Sequence, residues 1–332
     1  MSLSRNHLLE VFNLSTSFFS EKGEIRAVED ISFSIQPGQT VALVGESGCG
    51  KSVTALSIMQ LLDYPGRVVS GRIVFKGRDL LTLANSEIRQ VRGNQISMVF
   101  QEPMTSLNPI FTIGDQIGEV LEIHTTLSKE EVRKETIRLL EKVHISSPER
   151  RIDQYPHEMS GGMKQRVMIA MALACKPDLL IADEPTTALD VTIQAQILEL
   201  LKELQQEMGM AILLITHNLG VVAHFAQDVL VMYASRIVER ASVPQLFSNP
   251  SHPYTNALLR SLPRPGAREE RLESISGMVP SPLFYPKGCH FSTRCPKILP
   301  CCADEEPPLI EIESGHEVVC WLYQSEMVGE IT

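Results

Sequence analysis

The sequence contains no apolar run long enough to cross a lipid bilayer. A spanning helix needs about 20 consecutive apolar residues, and the longest apolar stretch, Val167–Cys175, has about half that length. Residues 1–13 have no basic region followed by an apolar core and a cleavage site, so they do not resemble a secretory signal. We therefore expect a chain that stays in the cytoplasm and does not itself span a membrane.

Basic residues are also scarce. The 332 residues include 30 Lys and Arg against 40 Asp and Glu, a formal net charge of -10, and no stretch concentrates positive charge as a reader of nucleic-acid phosphates would. We therefore expect no nucleic-acid partner. With 43% hydrophobic and 21% charged residues, the composition is that of a folded globular protein.

Three short apolar runs indicate strands that are buried on both faces: Val41–Val44, Leu179–Ala182 and Ala211–Ile215. Helical patterns separate them, which predicts an α/β fold with a mostly parallel core sheet. In such sheets the functional loops follow the carboxyl ends of the strands. Each of these runs is followed at once by Gly-rich or polar residues, so we expect the site there.

The rest of the chain divides by composition. Residues 102–165 have Glu/Lys/Arg-rich helical periodicity, with Ser128 placed to cap a helix, whereas beyond about Asn249 prolines become frequent. We predict one domain at 1–248, with a helical subdomain at about 102–165, and a loop-rich extension at 249–332.

A phosphate-binding loop follows the first strand. Gly45–Ser52 reads Gly-Glu-Ser-Gly-Cys-Gly-Lys-Ser and leads into a helical pattern, the context that makes this P-loop motif specific. Lys51 would reach the β and γ phosphate oxygens of ATP, and Ser52 would ligate Mg²⁺. The predicted binding residues of this loop are Gly45, Glu46, Ser47, Gly48, Cys49, Gly50, Lys51, Ser52 and Val53.

Two acids end the second apolar strand. Asp183 is placed to approach the Mg²⁺, and Glu184 is placed to orient the attacking water. Carboxylates at a strand end are as often helix caps, but the P-loop upstream favours the catalytic interpretation.

Further motifs follow in a fixed order. Gln101 follows an apolar strand, Met159–Gly162 precedes a helix whose N-terminus could bind an anion, and Asp190 and His217 come after the acids. This order and spacing over residues 10–245 resemble the ATP-binding-cassette (ABC) family. The resemblance implies that residues 1–248 form the ATP-binding domain, a P-loop NTPase fold with an antiparallel β subdomain beside the mostly parallel core sheet.

The resemblance implies a role for each motif. Glu184, His217 and Gln101 would be catalytic, Gln101 would also contact Mg²⁺ with Ser52 and Asp183, and Asp190 would join the ATP site. Ser160, Gly161 and Gly162 would be the signature that completes the P-loop site of a second cassette subunit. A homodimer or heterodimer is therefore expected. For the aromatic that stacks on adenine the candidate is Phe19, with Phe18 and Lys22 as alternatives.

The C-terminal third favours a transporter. His252–Leu259, Val279–Pro282 and Gly288–Pro296 resemble the ATP-binding subunits of dipeptide, oligopeptide and nickel importers. The resemblance implies two transmembrane permease subunits, an indirect extracytoplasmic substrate-binding protein, and a peripheral position on the cytoplasmic face of the membrane. Import of nickel or antimicrobial peptides is an alternative, as is a non-transport cassette ATPase of DNA repair or translation.

After Gln101, residues 102–109 and the helical insertion predict an apolar groove for a short cytoplasmic helix of the permease. The candidate contacts are Met104, Leu107 and Phe111. Such residues are also common in local cores.

Five of the seven cysteines lie between Cys289 and Cys320. Thiolates from Cys289, Cys295, Cys302 and Cys320 suit a 4Fe-4S cluster or zinc, and gaps wider than those of most zinc sites favour the cluster. Peptide-importer ATPases often carry this pattern, which implies a structural role here. Cys301 is an alternative to Cys302, and free thiols or disulfides are the alternative to a metal site.

We predict that Lys51→Ala weakens ATP binding, because it deletes a positive charge that faces the β and γ phosphates. Equilibrium binding of a fluorescent ATP analogue measures the effect. An unchanged affinity would contradict the P-loop assignment.

Overall fold

A computed structural model describes residues 7–101, 106–187, 189–261 and 275–324. They form two compact units that alternate along the chain. The first unit comprises the described parts of Met1–Leu9, Ile35–Thr40 and Phe75–Leu214, and the second those of Glu10–Ser34, Val41–Val74 and Ile215–Thr332.

The elements are as follows. The strands are β1 (Leu9–Ser20), β2 (Gly23–Ile35), β3 (Thr40–Val44), β4 (Gly66–Phe75), β5 (Arg78–Asp79), β6 (Ile96–Val99), β7 (Leu179–Asp183), β8 (Ala211–Thr216), β9 (Asp228–Tyr233), β10 (Arg236–Ser242), β11 (Leu309–Glu313) and β12 (His316–Val319). The helices are α1 (Lys51–Ile58), α2 (Asn85–Val91), α3 (Ile113–His124), α4 (Lys129–Lys142), α5 (Pro148–Arg151), α6 (Gly161–Leu173), α7 (Val191–Met208), α8 (Leu219–Phe225), α9 (Val243–Ser248) and α10 (Pro253–Arg260). Short 3-10 turns lie at Leu80–Thr82, Pro156–Glu158, Ser292–Arg294, Pro300–Ala303 and Trp321–Tyr323.

In the first unit, β6 runs parallel to β7, and helices α3, α4 and α6 pack against one another. The predicted cap of α4 is present: Ser128 Oγ accepts from the Glu131 backbone N–H, and the Glu131 carboxylate accepts from the Ser128 N–H at 2.8 Å. This reciprocal capping box satisfies two N–H groups at the helix start, which explains why the helix begins where the sequence predicted.

In the second unit, β3 runs parallel to β9, with Val41 opposite Asp228, while β9 and β10 pair antiparallel. Strand β1 lies between β2 and β4 in a separate sheet. All five residues of β3 are buried, as expected of a strand covered on both faces. The α/β fold with parallel core strands is confirmed.

The extension is more ordered than its prolines suggest. Strands β11 and β12 form an antiparallel hairpin, and β12 pairs with β10, with Val318 opposite Glu239. The fully buried Glu239 carboxylate accepts from the backbone N–H groups of Ser251 and His252 at 2.7 and 2.8 Å, and His316 Nε2 lies 2.8 Å from it. A buried carboxylate needs such partners, so these contacts fix the hairpin and the start of α10 to β10.

No helix within the described ranges combines the length and the apolar character that a membrane span requires.

Candidate nucleotide-binding site

The P-loop of the second unit is shaped by close backbone contacts. A Cβ atom at Gly45 would lie 2.1 Å from the Met232 carbonyl oxygen, and one at Gly50 would lie 2.2 Å from that of Ala27. Gly50 also has a φ of 110°, which L side chains rarely adopt. Neither position can therefore hold a larger residue without moving the loop away from β2 or β9.

Lys51 opens α1 and is almost fully buried, with 6% exposure. Its ammonium donates to the carbonyl oxygens of Gly45 at 2.8 Å and Glu46 at 3.1 Å. The loop thus encircles its own lysine, as expected of a phosphate-binding loop. Burial raises the pKa of the neighbouring Cys49 thiol, which favours its protonated form.

Other positions of the loop differ in exposure. Ser47 and Gly48 are exposed, whereas Ser52 and Val53 are half-buried at the start of α1. The exposed backbone N–H groups here, together with the helix N-terminus, can receive phosphate oxygens.

In the first unit, the two predicted acids lie at the end of β7. Asp183 is buried, and Glu184 has a left-handed φ of 46°. The Glu184 carboxylate accepts from Gln101 Nε2 at 3.1 Å and from Thr187 Oγ1 at 2.8 Å, both on Oε2. Sequence reasoning paired none of these side chains. The three-residue spacing of Glu184 and Thr187 across a tight turn was the available signal.

The predicted signature lies at a helix start, also in the first unit. Ser160 caps α6 and accepts from the Met163 N–H at 3.4 Å, and Asp190 caps α7 and accepts from the Ile193 N–H at 3.0 Å. Ser160, Gly161 and Asp190 are exposed. The helix N-terminus of α6, with its unpaired N–H groups, is therefore open to an anion or to a partner.

The remaining nucleotide candidates belong to the second unit. His217 is exposed directly after β8. The Phe19 ring is 37% exposed and carries the Arg67 guanidinium 4.3 Å from its centroid, whereas Phe18 packs against Gly66. Because adjacent strand residues point to opposite faces, only one of these phenylalanines can face an adenine, and Arg67 already covers one side of Phe19.

Four cysteines of the extension line one cavity: Cys289, Cys295, Cys302 and Cys320. Cys301 does not line it. Burial raises the pKa of Cys289 to about 11 and that of Cys320 to about 12. Within the described ranges no group of three or more His, Cys, Asp or Glu side chains is arranged to hold a metal ion.

The fold and the P-loop define a nucleotide-binding cassette. A model of ABC transporters matches residues 28–187, and a model of the oligopeptide/dipeptide transporter C-terminal region matches residues 238–302. Among solved structures, a dimeric ATP-binding cassette in a post-hydrolysis state bound to ADP and Pi is 27% identical, with a TM-score of 0.64 over 71% of this chain and 98% of that one.

Three curated relatives cover nearly the whole chain. A probable peptide ABC transporter ATP-binding protein of Sinorhizobium fredii is 54% identical over 95% of this chain and 94% of its own length. The oligopeptide transport ATP-binding protein AppD of Bacillus subtilis is 52% identical over 96% and 98%, and the dipeptide transport ATP-binding protein DppD of Escherichia coli 51% over 94% and 96%. The chain belongs to the ABC transporter ATPases that carry this C-terminal region.

We predict that Glu184→Gln still binds ATP but hydrolyses it at least ~100-fold more slowly, because the water loses its orienting carboxylate. The amide can still accept from Thr187, so the local fold should survive. Steady-state phosphate release measures the effect, with the exposed Glu203→Gln as the matched control. Near-normal turnover would remove Glu184 from the catalytic role.

Proposed function

We propose that this chain hydrolyses Mg-ATP to power the import of di- or oligopeptides through permease subunits supplied by other chains. The observation that carries the proposal is the pairing of a cassette with a C-terminal region of the oligopeptide/dipeptide transporter type in one chain. The three relatives named for peptide transport support the same substrate class.

The chemistry proposed for the site follows from its side chains. The P-loop N–H groups and Lys51 would bind the phosphates, and hydroxyl, amide and carboxylate oxygens from Ser52, Gln101 and Asp183 are the donors that Mg²⁺ prefers. The metal would offset negative charge on the phosphates. Glu184 would orient water, with Gln101 and Thr187 fixing its carboxylate.

The exposed start of α6 supports a dimer. Ser160, Gly161 and Gly162 leave backbone N–H groups open at this helix end, but the P-loop of the chain already has its own helix N-terminus in α1. We infer that the signature binds the nucleotide of a second cassette subunit, with His217 and Asp190 at the shared site. The similar cassette whose structure was solved with ADP and Pi is a dimer.

The permease contact is proposed at a groove between α3 and α4. Phe111, 49% exposed, lines it, but Leu107 is buried in the core with 2% exposure, and Met104 lies outside the described residues. Four acidic and two basic side chains are among its other lining residues: Asp115, Glu119, Glu122, Asp153, Lys129 and Arg133. Of the predicted contacts, Phe111 lines this groove and the buried Leu107 does not, so an apolar groove for the permease stays a prediction.

Reconstitution tests the proposal. Vesicles that contain the permease subunits and this chain, with the extracytoplasmic receptor added outside, should accumulate labelled di- or oligopeptides only when ATP is supplied on the side of this chain. Glu184→Gln should abolish accumulation. Charge reversal by Asp115→Lys with Glu119→Lys should block accumulation while ATP binding survives.

Two results would contradict the proposal. ATP-dependent accumulation of nickel without any peptide would move the assignment to the metal-importing alternative. ATPase activity that ignores the permease altogether would favour a non-transport cassette. Intact assembly of the charge-reversed variant would place the permease contact elsewhere and leave the transport function standing.

We also propose that the cysteine cavity binds a 4Fe-4S cluster. Four thiols around one cavity match the ligand number, and the absence of Cys301 from its lining favours Cys302 as the fourth ligand with Cys289, Cys295 and Cys320. Bound iron would hold these thiols as thiolates, so the raised pKa values describe the chain without metal. The cluster would tie the 3-10 turns of the extension together.

We expect protein purified without oxygen to be brown and to contain iron, and Cys289→Ser to lose both while ATP binding survives. Cys301→Ser is the matched control and should retain the iron. Recovery of zinc would make the site a structural zinc site, and colourless, metal-free protein with titratable thiols would refute the proposal.

A further inference from the structure

The second residue of the P-loop is held by the C-terminal extension at two points. The Glu46 backbone N–H donates to the Tyr254 hydroxyl at 2.9 Å. The Glu46 carboxylate accepts from both terminal nitrogens of Arg294, at 2.7 and 3.2 Å. These partners lie 208 and 248 positions further along the chain, so no local pattern requires the contact.

All the hydrogen-bond donors of the Arg294 side chain are used in this arrangement. Its remaining N–H groups donate to the Tyr233 hydroxyl at 3.3 Å and to the carbonyl oxygens of Ser276 at 3.0 Å and Ile275 at 3.2 Å. A guanidinium has five N–H groups, and each now has an acceptor. The side chain is 4% exposed. An ion pair with two hydrogen bonds and little exposure restricts the positions of both side chains far more than a solvated surface ion pair does.

The Arg294 side chain is positively charged. A guanidinium is not deprotonated in proteins. The pair therefore keeps its positive partner at every physiological pH.

An aromatic cluster holds the two tyrosine hydroxyls in place. Ring centroids of Tyr233 and Tyr254 lie 4.6 Å apart, and Phe291 lies 5.1 and 5.5 Å from them. All three rings are almost completely buried. Because burial raises the pKa of Tyr254, its hydroxyl stays neutral and can accept the Glu46 N–H. Closely packed, buried rings have little freedom to move, so the position of the Tyr254 hydroxyl is fixed.

The contact bears on phosphate binding through Lys51. The carbonyl oxygen of Glu46 is one of the two that orient the Lys51 ammonium. In addition, an unpaired Glu46 carboxylate would repel the nucleotide phosphates, and the Arg294 charge cancels that repulsion. Both effects would make the affinity for ATP depend on a part of the chain outside the cassette motifs.

We propose that Arg294 and Tyr254 are positioning residues that clamp Glu46, orient Lys51 and neutralise the P-loop acid, so that the C-terminal extension sets the affinity for ATP. The proposal rests on the proposed role of the P-loop. Arg294 immediately precedes Cys295, so the clamp lies beside the cysteine cavity and extends the role of this region beyond its own stability.

The test measures ATP affinity and turnover of the full-length chain in its complex with the permease subunits. Arg294→Met should raise the Kd of a fluorescent ATP analogue at least about fivefold, a usual lower bound for coupled sites. It should raise KM by a larger factor than it lowers kcat. The double variant with Arg294→Met and Glu46→Gln should regain much of the affinity for ATP, because residue 46 then no longer carries an unpaired negative charge. A loss that Glu46→Gln leaves unrelieved would overturn the proposal, since the effect would not pass through Glu46.

Tyr254→Phe supplies an independent variant that keeps the ring packing and deletes only the acceptor of the Glu46 N–H. It should also weaken ATP binding, and the thermal midpoint shows which variants are folded. Folded Arg294→Met and Tyr254→Phe proteins that both bind ATP like the parent chain would overturn the proposal. Arg240→Met is the matched control, because Arg240 pairs with Glu317 at 3.6 Å, and its Kd should stay within about twofold.

Lys51→Ala distinguishes a failure of the proposed Glu46 clamp from a failure of the P-loop assignment. If Lys51→Ala weakens binding and Arg294→Met does not, the clamp is wrong and the P-loop assignment stands. If Lys51→Ala also has no effect, the P-loop assignment itself fails.

Discussion

The backbone of the P-loop lies against the carbonyl groups of two strands, and the arrangement of the second unit depends on this close approach. Gly45 meets Met232 of β9, and Gly50 meets Ala27 of β2, at distances that leave no room for a side chain. The Ser235 N–H, just after β9, donates to the Cys49 carbonyl at 3.0 Å. Because the loop is fixed from outside, its interior can present a buried lysine and open N–H groups.

In the first unit, the position of Glu184 depends on its own backbone conformation. Glu184 adopts a left-handed backbone conformation that is uncommon for a residue with a Cβ atom. Such strain persists where surrounding contacts impose it and is common at functional sites. Here the hydrogen bonds from Gln101 and Thr187 to one carboxylate oxygen restrict the position of the Glu184 side chain.

The sequence patterns predicted those structural features that are determined by residues close together in the chain. The apolar runs of β3, β7 and β8 and the Ser128 cap were found because each is encoded within a few positions. The hairpin of β11 and β12 was missed, since Leu309–Glu313 alternates with exposed acids and is only five residues long. The contact of Arg294 with Glu46 joins residues 248 positions apart, and no spacing rule reaches that far.

The pairing of β12 with β10 has a consequence for how far this chain can be shortened. A chain ended after α9 would leave the edge of β10 without its hydrogen-bonded neighbour, and an open edge invites pairing with other molecules. The same truncation would strip Glu239 of the N–H groups and the imidazole that now surround it, leaving a desolvated charge inside the sheet. The hairpin therefore extends the sheet beyond β10, and a chain shortened to residues 1–248 would lose contacts that stabilise this strand.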